Sequence, residues 1–229
     1  VMPCYNAAPF VEEAVMSVLN QTYPEVELVV VDDGSTDSSP GIVKQLVTAY
    51  PDKVRLFQQD QQGPYVARNL GIANASGRYL AFLDADDWWR EDFLQKLHTA
   101  LMENRDAALA YCGWQNTGLE GARSEPYVPP DYENENKAEC FLRAASPWPI
   151  HAALVRRQAV DQVNGFKTYL PTCMDYDFWL RIGIAHPIVL VPEVMAFYRH
   201  HQGGQIISKQ WRQAENVWAV KKTFAGQCP

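Results

Sequence analysis

The feature that most limits how this chain can fold is the stretch from Tyr79 to Asp87, a short apolar run followed by three carboxylates. The run ends at Leu83 and contains no charged residue, which is typical of a strand buried on both faces inside a parallel sheet. In such sheets, ligands bind outside the carboxyl ends of the strands. Residues two apart in an extended chain project to the same side, so Asp84 and Asp86 are expected to converge there.

These carboxylates have two interpretations. Crowded carboxylates raise each other's pKa unless a cation neutralises them. Magnesium and manganese suit oxygen ligands, and magnesium commonly takes one or two carboxylates together with substrate phosphates. This predicts a divalent metal that holds a phosphorylated substrate. The alternative is that Asp86 or Asp87 only caps a helix that begins near Trp88.

The apolar periodicity predicts alternating strands and helices over the first half of the chain. The predicted strands are 1–2, 27–31, 54–57, 79–83, 108–114, 152–155, 188–191 and 194–198. The predicted helices are 10–19, 42–50, 65–73, 88–104, 137–145, 157–163, 175–185 and 210–224. Such alternation predicts an α/β fold with a Rossmann-like, mostly parallel central sheet flanked by helices. Residues 118–136 are predicted to form a long exposed loop.

A second predicted strand also ends in acids, because Asp32 and Asp33 follow residues 27–31. The carboxyl ends of parallel strands meet at one edge of a sheet, so both acidic groups are expected to face one crevice. The alternative is an ordinary acidic turn, in which an Asp or Ser of the segment ending at Ser35 caps the next helix.

The composition excludes several classes of protein. Apolar residues make up 47% and charged residues 21%, as in ordinary globular domains, and the net charge of −7 gives no support for a nucleic-acid or anionic-membrane surface. Five scattered cysteines without a Cys-x-x-Cys pair favour reduced thiols and a cytoplasmic protein. No run approaches the roughly 20 apolar residues of a membrane span. Peripheral attachment to the inner face of the membrane stays open, and the sequence does not indicate an oligomeric state.

Four motifs together resemble those of family 2 glycosyltransferases, in order and spacing. They are Pro3-Cys4-Tyr5-Asn6, Val29 to Asp37, Gly63 followed by Ala67-Arg68-Asn69-x-Gly71, and Phe82 to Asp87. The resemblance implies a GT-A fold that inverts the transferred sugar and uses nucleotide-diphosphate sugars. It also implies one continuous domain, in which residues 1–110 bind the nucleotide sugar and residues 111–229 form a mixed half that binds the acceptor and carries the catalytic base.

For the nucleotide, the resemblance implies that Tyr5 stacks on the base while the backbone near Pro3 bonds its edge. Asp33 would accept the imide N–H of uracil, which favours a UDP-sugar, and Asp32 would support the same pocket. Glu12 has a counterpart near the ribose. The alternatives are a turn aromatic packed on the sheet for Tyr5 and a solvated helix charge for Glu12.

For the diphosphate, the resemblance implies that Arg68 meets the base or the phosphates, since a guanidinium matches phosphate geometry. The alternative for Arg68 is a surface ion pair. Asp84 would touch the ribose or the sugar, and Asp86 would be the main ligand of Mn²⁺ or Mg²⁺.

The second half carries a segment, Cys173 to Arg181, that resembles the family segment beginning with Glu-Asp at a helix start. The resemblance implies that Asp175 is the catalytic base, with Asp177 as the fallback. Met174 stands where the family usually has Glu.

A closing segment, Tyr198-Arg199-His200-His201 followed by Gly203 to Ile206, resembles the family's Tyr-Arg-x-His pattern. It implies that His201 binds the metal or contacts the diphosphate. The alternative is a structural histidine, and the adjacent His200 leaves the register open. Trp148 and Trp179 either line an acceptor sugar or pack in the core.

The sequence therefore predicts a metal-dependent transfer of one sugar to a hydroxyl of a glycan or lipid-linked acceptor. Processive synthases of the family add a Gln-x-x-Arg-Trp segment and membrane spans, which are not found in this sequence. One rival is a haloacid-dehalogenase-type phosphatase, which expects Thr or Val soon after the second Asp, where this chain has Asp87 and Trp88. The other is a non-catalytic domain that binds nucleotide sugars or glycans.

Overall fold

The computed structural model of the chain describes residues 1–118, 124–143, 146–201 and 210–225. The strands are β1 (Met2–Cys4), β2 (Leu28–Asp32), β3 (Val54–Gln58), β4 (Tyr79–Ala81), β5 (Trp88–Trp89), β6 (Leu109–Thr117), β7 (Ala153–Arg156) and β8 (Ile188–Arg199). The helices are α1 (Val11–Leu19), α2 (Ser39–Ala49), α3 (Pro64–Asn74), α4 (Phe93–Glu103), α5 (Lys137–Arg143), α6 (Arg157–Gln162), α7 (Met174–Gly183) and α8 (Gln210–Ala225). Strands and helices alternate from β1 to β4, as the apolar periodicity predicts.

The first half builds a parallel sheet of three strands in the order β1-β2-β3. Every residue of β2 is buried, because the sheet is covered on both faces. Leu28 and Val30 lie in the main core, whereas Val29 and Val31 pack with Ala67 of α3. Full burial of one such side chain contributes about 1.5–3 kcal/mol, which explains why this run is apolar without alternation.

Val1 joins this sheet to β4. Its amino group donates a hydrogen bond to the Ala81 carbonyl at 2.8 Å, and its carbonyl accepts one from the Leu83 N–H at 3.1 Å. Val1 thus bonds to the residues before and after the one that it faces, which is the pattern of a parallel pair. Strand β4 therefore runs in the same direction as β1. The carboxyl ends of β1, β2 and β4 therefore open at one edge of the combined sheet, which is the arrangement that the sequence predicts.

The second half extends the sheet with strands of mixed direction, in the order β4-β7-β6-β8-β5. Strand β7 is antiparallel to both neighbours, and β8 is parallel to β6 but antiparallel to β5. Strand β8 is continuous, whereas the sequence predicts two strands separated by Pro192 and Glu193. The pairing of β6 with β8 shifts register around Gly113, and this irregularity accommodates the two residues within one strand.

The helix that the sequence predicts from Trp88 is wrong at its start. Trp88 belongs to β5, and α4 begins only after that strand. The Trp88 ring stacks on Phe197 of β8, with centroids 5.3 Å apart and planes 8° apart. Tryptophan is favoured in strands when a cross-strand partner packs on it. Since no helix begins there, the alternative that Asp86 or Asp87 caps a helix is wrong.

Trp148 and Trp179 lie in the main core, and both are 0% exposed. The Trp148 ring stacks on Tyr111 of β6, with centroids 4.4 Å apart. Of the two interpretations of these tryptophans, core packing is right and the lining of an acceptor site is wrong. The same core cluster includes Met2 and Phe224, so it draws side chains from both halves of the chain.

The predicted loop 118–136 is described from residue 124 onward, and it contains a 3₁₀ turn at Tyr132–Asn134. The Tyr132 ring is buried, and the backbone N–H of Tyr132 donates a hydrogen bond to the Tyr111 hydroxyl at 3.0 Å. These two contacts hold this turn on the core. The motif residues Gly203 to Ile206 lie outside the described residues. In the described part of the chain, none of the helices is both long and apolar enough to cross a membrane.

Candidate active site

The loop after β1 is fastened to the loop after β2. Asn6 has a φ of 49°, a left-handed conformation that asparagine tolerates. Its Oδ1 accepts a hydrogen bond from the Thr36 N–H at 2.8 Å, and its own N–H donates to Ser35 Oγ at 3.0 Å. Pro3 is buried in the sheet, but Tyr5 is 43% exposed at this edge. Tyr5 is therefore open to solvent at this edge and can meet a ligand.

Asp33 is buried and holds the loop between β3 and α3. One carboxylate oxygen accepts hydrogen bonds from Gln59 Nε2 at 2.7 Å and the Gln62 N–H at 2.8 Å. The other oxygen accepts one from the Gly63 N–H at 2.8 Å. A carboxylate offers roughly four acceptor positions, so one position remains for a ligand. Asp33 therefore also holds this loop in place, a role that the sequence does not predict.

The remaining acids predicted for the nucleotide pocket are Asp32 and Glu12. Asp32 is buried, and it accepts hydrogen bonds from Gln58 Nε2 at 3.2 Å and the Ser35 N–H at 3.3 Å. The contact between the Asp32 carboxylate and the Ser35 N–H closes a turn in this acidic segment. Glu12 lies exposed in the first turn of α1.

Arg68 and Asp84 form an ion pair between α3 and the loop after β4. Arg68 is only 3% exposed, so the interpretation as a surface ion pair is wrong. Burial acts to lower the pKa of Arg68, but the neighbouring Asp84 carboxylate raises the pKa, and the net value lies above the usual one. The guanidinium lies 5.5 Å from the Tyr65 ring centroid and 5.7 Å from that of Phe166, so it is enclosed by aromatic rings.

Asp175 lies in the first turn of α7, where the helix dipole favours an acid. The preceding Cys173 has a left-handed φ of 67°, which turns the chain into the helix. Burial raises the pKa of Asp175; Arg68 opposes this rise, and Asp84 adds to it. Asp175 in turn helps to raise the pKa of the buried Tyr65 hydroxyl, after burial itself. These interactions bring Asp175 into one electrostatic group with the Arg68–Asp84 pair.

Asp177 does not join this group. It is 4% exposed, and its carboxylate is paired with Arg181 at 2.7 Å, one helical turn further along α7. Arg181 also donates to the carbonyls of Val163 and Gly165. The fallback residue is therefore part of a structural contact that anchors α7 to the segment after α6. Met174, at the position where the sequence departs from the family pattern, is fully buried.

Asp86 and His201 come together although they lie 115 positions apart in the chain. Asp86 Oδ2 lies 3.0 Å from His201 Nε2. Burial raises the pKa of Asp86 to about 6, with further contributions from Asp87 and Asp84. The His201 ring also packs on Phe10, with centroids 4.5 Å apart. His201 opposes this rise through its contact with Asp86. The repulsion among the neighbouring carboxylates is relieved when a cation binds beside them.

The donor atoms at this edge fit a divalent metal that shares its coordination with a substrate. Across residues 1–118, 124–143, 146–201 and 210–225, no group of three or more His, Cys, Asp or Glu side chains is arranged to hold a metal alone. Asp86 and His201 supply one oxygen and one nitrogen. Magnesium and manganese commonly keep waters and take further ligands from substrate phosphates, so two protein ligands suffice.

Arg199 is a site residue to which the sequence assigns no role. Its Nε donates to the Asp86 carbonyl at 2.9 Å, and its Nη2 donates to Glu13 at 2.6 Å. The guanidinium lies 4.4 Å from the Trp88 ring centroid. Arg199 lies at the end of a strand, two residues before His201. Residues two apart in extended chain project to the same side, and this spacing is the sequence signal that could have placed both residues at one site.

Tyr198 is a second unpredicted neighbour of the carboxylates. Burial raises the pKa of Tyr198, and Asp87, Asp84 and Asp86 raise it further in that order. Its ring stacks on His151 with centroids 5.8 Å apart. His151 stands in a turn before β7, where a lone histidine carries no sequence signal for a site.

A family model described as glycosyl transferase family 2 matches residues 1–163 of the chain. A Bacillus subtilis (strain 168) protein, named as a candidate teichuronic acid biosynthesis glycosyltransferase, TuaG, is 35% identical over 223 residues, covering 96% of this chain and 85% of the relative. Other curated relatives are longer, and the chain spans 37% of the length of two of them and 32% of a third.

Two solved structures share the fold. S. aureus TarS 1–349 in complex with UDP-GlcNAc has a TM-score of 0.74 at 20% identity, covering 96% of this chain and 64% of that one. The mannosyltransferase PcManGT from Pyrobaculum calidifontis, in complex with GDP-Man and Mn²⁺, has a TM-score of 0.74 at 21% identity, covering 100% of this chain and 63% of that one. The predicted α/β, GT-A fold class is confirmed.

Proposed function

The chain belongs to glycosyl transferase family 2, and on that premise we propose that it is an inverting enzyme that moves one sugar from a nucleotide-diphosphate sugar to an acceptor hydroxyl. The observation that carries this proposal is the convergence of five charged or ionisable side chains at one edge of the sheet. They are Arg68, Asp84, Asp86, Asp175 and His201. Helix α3 and the loop after β4 supply three of them from the first half, and the start of α7 and the segment after β8 supply the other two.

The donor is a UDP-sugar in this proposal. Tyr5 stacks on the base, the backbone near Pro3 bonds its edge, and Asp33 uses its remaining acceptor position for the imide N–H of uracil. Asp32 supports the pocket, and Glu12 reaches the ribose. The exposure of Tyr5 supports this assignment, and the UDP-GlcNAc held by TarS makes UDP the first nucleotide to test.

Asp175 acts as the general base that takes the proton from the acceptor hydroxyl. The oxygen attacks the anomeric carbon from the face opposite the leaving group, and one displacement inverts the configuration. The raised pKa of Asp175 supports the role, because a base works best when its pKa approaches the working pH. Asp84, fixed by Arg68, orients the ribose or the sugar, and Arg68 adds positive potential beside the diphosphate.

Asp86 and His201 are the residues that would hold Mn²⁺ or Mg²⁺. When bound, the metal neutralises charge that develops on the departing nucleoside diphosphate. The short approach between the two side chains and the raised pKa of Asp86 support this pairing.

The acceptor is a hydroxyl of a glycan or of a lipid-linked sugar, and a protein that meets such lipids works at the inner face of the membrane. Residues 1–110 bind the donor, and residues 111–229 bind the acceptor and supply the base. The likeness to TuaG, whose name refers to teichuronic acid biosynthesis, supports a cell-envelope polysaccharide as the product class.

The test is a panel of nucleotide sugars with Mn²⁺, scored by thermal shift and by release of nucleoside diphosphate with candidate acceptors. We expect one UDP-sugar to stabilise the protein and to release UDP when an acceptor is present. Release of inorganic phosphate from a phosphorylated substrate would instead support a phosphatase. Binding of a nucleotide sugar without any release, across all acceptors, would support a non-catalytic binding domain.

A variant of the base separates catalysis from binding. Asp175→Asn should lower kcat by about 100- to 10,000-fold, which is the usual contribution of a general base, while UDP binding measured by calorimetry stays intact. Asp52→Asn is the matched control, since Asp52 is exposed in a turn before β3, at the opposite edge of the sheet. Full transfer by the Asp175 variant would contradict the assigned role.

A further inference from the structure

A buried pair, Asp87 and His151, lies directly behind the proposed metal-binding residues. Asp87 is 1% exposed and His151 is 0% exposed. Asp87 Oδ2 and His151 Nδ1 are 3.1 Å apart. The His151 carbonyl accepts a hydrogen bond from Trp89 Nε1 at 2.6 Å, which fixes the backbone of this turn against β5. The proposed reaction assigns no role to the side chain of either residue.

Asp87 connects the two chain segments that bring the metal-binding residues together. It follows Asp86 directly in the sequence, and its Oδ1 accepts a hydrogen bond from the Arg199 N–H at 2.8 Å. Arg199 lies two residues before His201. The orientation of the Asp87 carboxylate therefore influences how Asp86 and His201, which lie 115 positions apart in the chain, face each other.

The contact between Asp87 and His151 is costly to maintain. The distance is short, but the pair does not form a hydrogen bond. Asp87 Oδ2, His151 Nδ1 and His151 Nε2 have no hydrogen-bond partner among the described residues. A buried polar group without a partner costs about 1–3 kcal/mol, so stability alone does not explain a pair with three such atoms.

We propose that His151 is a positioning residue for the metal site, acting through Asp87. This inference rests on the proposed function, because it needs Asp86 and His201 to bind the metal. The imidazole closes one side of the Asp87 carboxylate and keeps its other oxygen on the Arg199 N–H. That hydrogen bond holds the end of β8 so that His201 meets Asp86. Residues that orient metal ligands in this indirect way commonly contribute a factor of about 10–100 to metal affinity.

The experiment measures Mn²⁺ binding directly, by electron paramagnetic resonance of free Mn²⁺ titrated into protein with saturating UDP. We expect His151→Leu to weaken Mn²⁺ binding by about 10- to 100-fold. His151→Asn, whose amide nitrogen stands near the position of Nδ1, should recover most of the affinity. UDP binding without metal should not change in either variant.

A double-mutant cycle tests whether His151 acts through Asp87. Asp87→Asn alone should weaken Mn²⁺ binding, and adding His151→Leu should weaken it no further, because the same contact has already been lost. His98→Leu is the matched control, since His98 also packs on tyrosine rings but lies away from the site, and it should leave Mn²⁺ binding unchanged. If His151→Leu does not fold, His151→Phe, which keeps a ring against Tyr198, replaces it in the cycle.

The outcomes separate the two proposals. If the wild-type protein with UDP does not bind Mn²⁺, the proposed metal dependence fails and this inference fails with it. If the wild type binds Mn²⁺ and a folded His151→Leu or His151→Phe binds it equally well, only the positioning role is overturned. Additive losses in the cycle, or an equal loss in His98→Leu, would also overturn that role, because they would indicate a general loss of structure.

Discussion

Replacing Arg68 by Met tests whether the ion pair at the centre of the site is a buried one. The side chain of Arg68 is 4% exposed and that of Asp84 is 30% exposed. Methionine keeps much of the length and apolar volume of arginine but removes the charge. The Asp84 carboxylate would lose its partner, and Asp175 would lose the cation that opposes the rise of its pKa.

Removing one partner of a buried ion pair typically costs about 3–5 kcal/mol, because the other charge stays behind without compensation. Asp84 keeps some contact with water, so we expect the lower end, about 3 kcal/mol, as the loss in the free energy of unfolding. Unfolding in urea, followed by tryptophan fluorescence and circular dichroism, measures this loss through the shift of the midpoint.

Arg55→Met is the matched control, since Arg55 pairs with Glu27 at the surface and its side chain is 45% exposed. An exposed pair of this kind contributes about 0–1 kcal/mol. The double variant Arg68→Met/Asp84→Asn should recover part of the loss, because it leaves no unpaired carboxylate at position 84. If Arg68→Met costs no more than Arg55→Met, the buried pair does not stabilise the site as argued.

Three further predictions concern pH, metal and packing. Burial raises the pKa of Asp175, and a base must be deprotonated in order to act. As the pH is lowered, kcat should therefore begin to fall at a pH above about 3.9, the usual pKa of an aspartate. If kcat begins to fall only at or below that pH, the assignment is contradicted. Removal of divalent metal by EDTA should stop diphosphate release and Mn²⁺ should restore it, whereas unchanged release in EDTA would exclude metal dependence. A Cβ at Gly183 would lie 2.4 Å from Phe141 Cε2, but one at Gly41 meets nothing within 4 Å. Gly183→Ala should therefore destabilise the protein by about 1–3 kcal/mol through overpacking. Gly41→Ala should stabilise it by about 0.5–1 kcal/mol in thermal unfolding, and equal effects of the two would refute the packing argument.

The first half of the fold could be predicted because its signals are local. The run before Asp32 and the run before Asp84 are apolar without interruption, and such runs form central strands whichever neighbours they have. Parallel strands joined by short helical crossovers must then present their carboxyl ends at one edge. The position of Asp33 and Asp86 near one edge follows from these rules.

The partners of these acids could not be predicted. The resemblance implies that Asp33 faces a nucleotide, but the structure shows that it also holds the loop that ends at Gly63. The sequence leaves Arg68 either at the base or phosphates or in a surface ion pair, but in the structure Arg68 is buried and paired with Asp84. A carboxylate at a strand end can bond several donors, and the sequence does not state which donor comes within reach.

The sequence by itself determined the strand-end carboxylates, the parallel first half and the helix that begins within one residue of Asp175, because burial pattern and spacing act over a few residues. Only the tertiary structure decided that Trp88 forms a strand, that His201 meets Asp86 and that His151 lies behind Asp87. Each of these depends on pairing between segments more than 60 residues apart. The apolar period of a strand marks which face is buried, but it carries no information about which distant strand lies beside it.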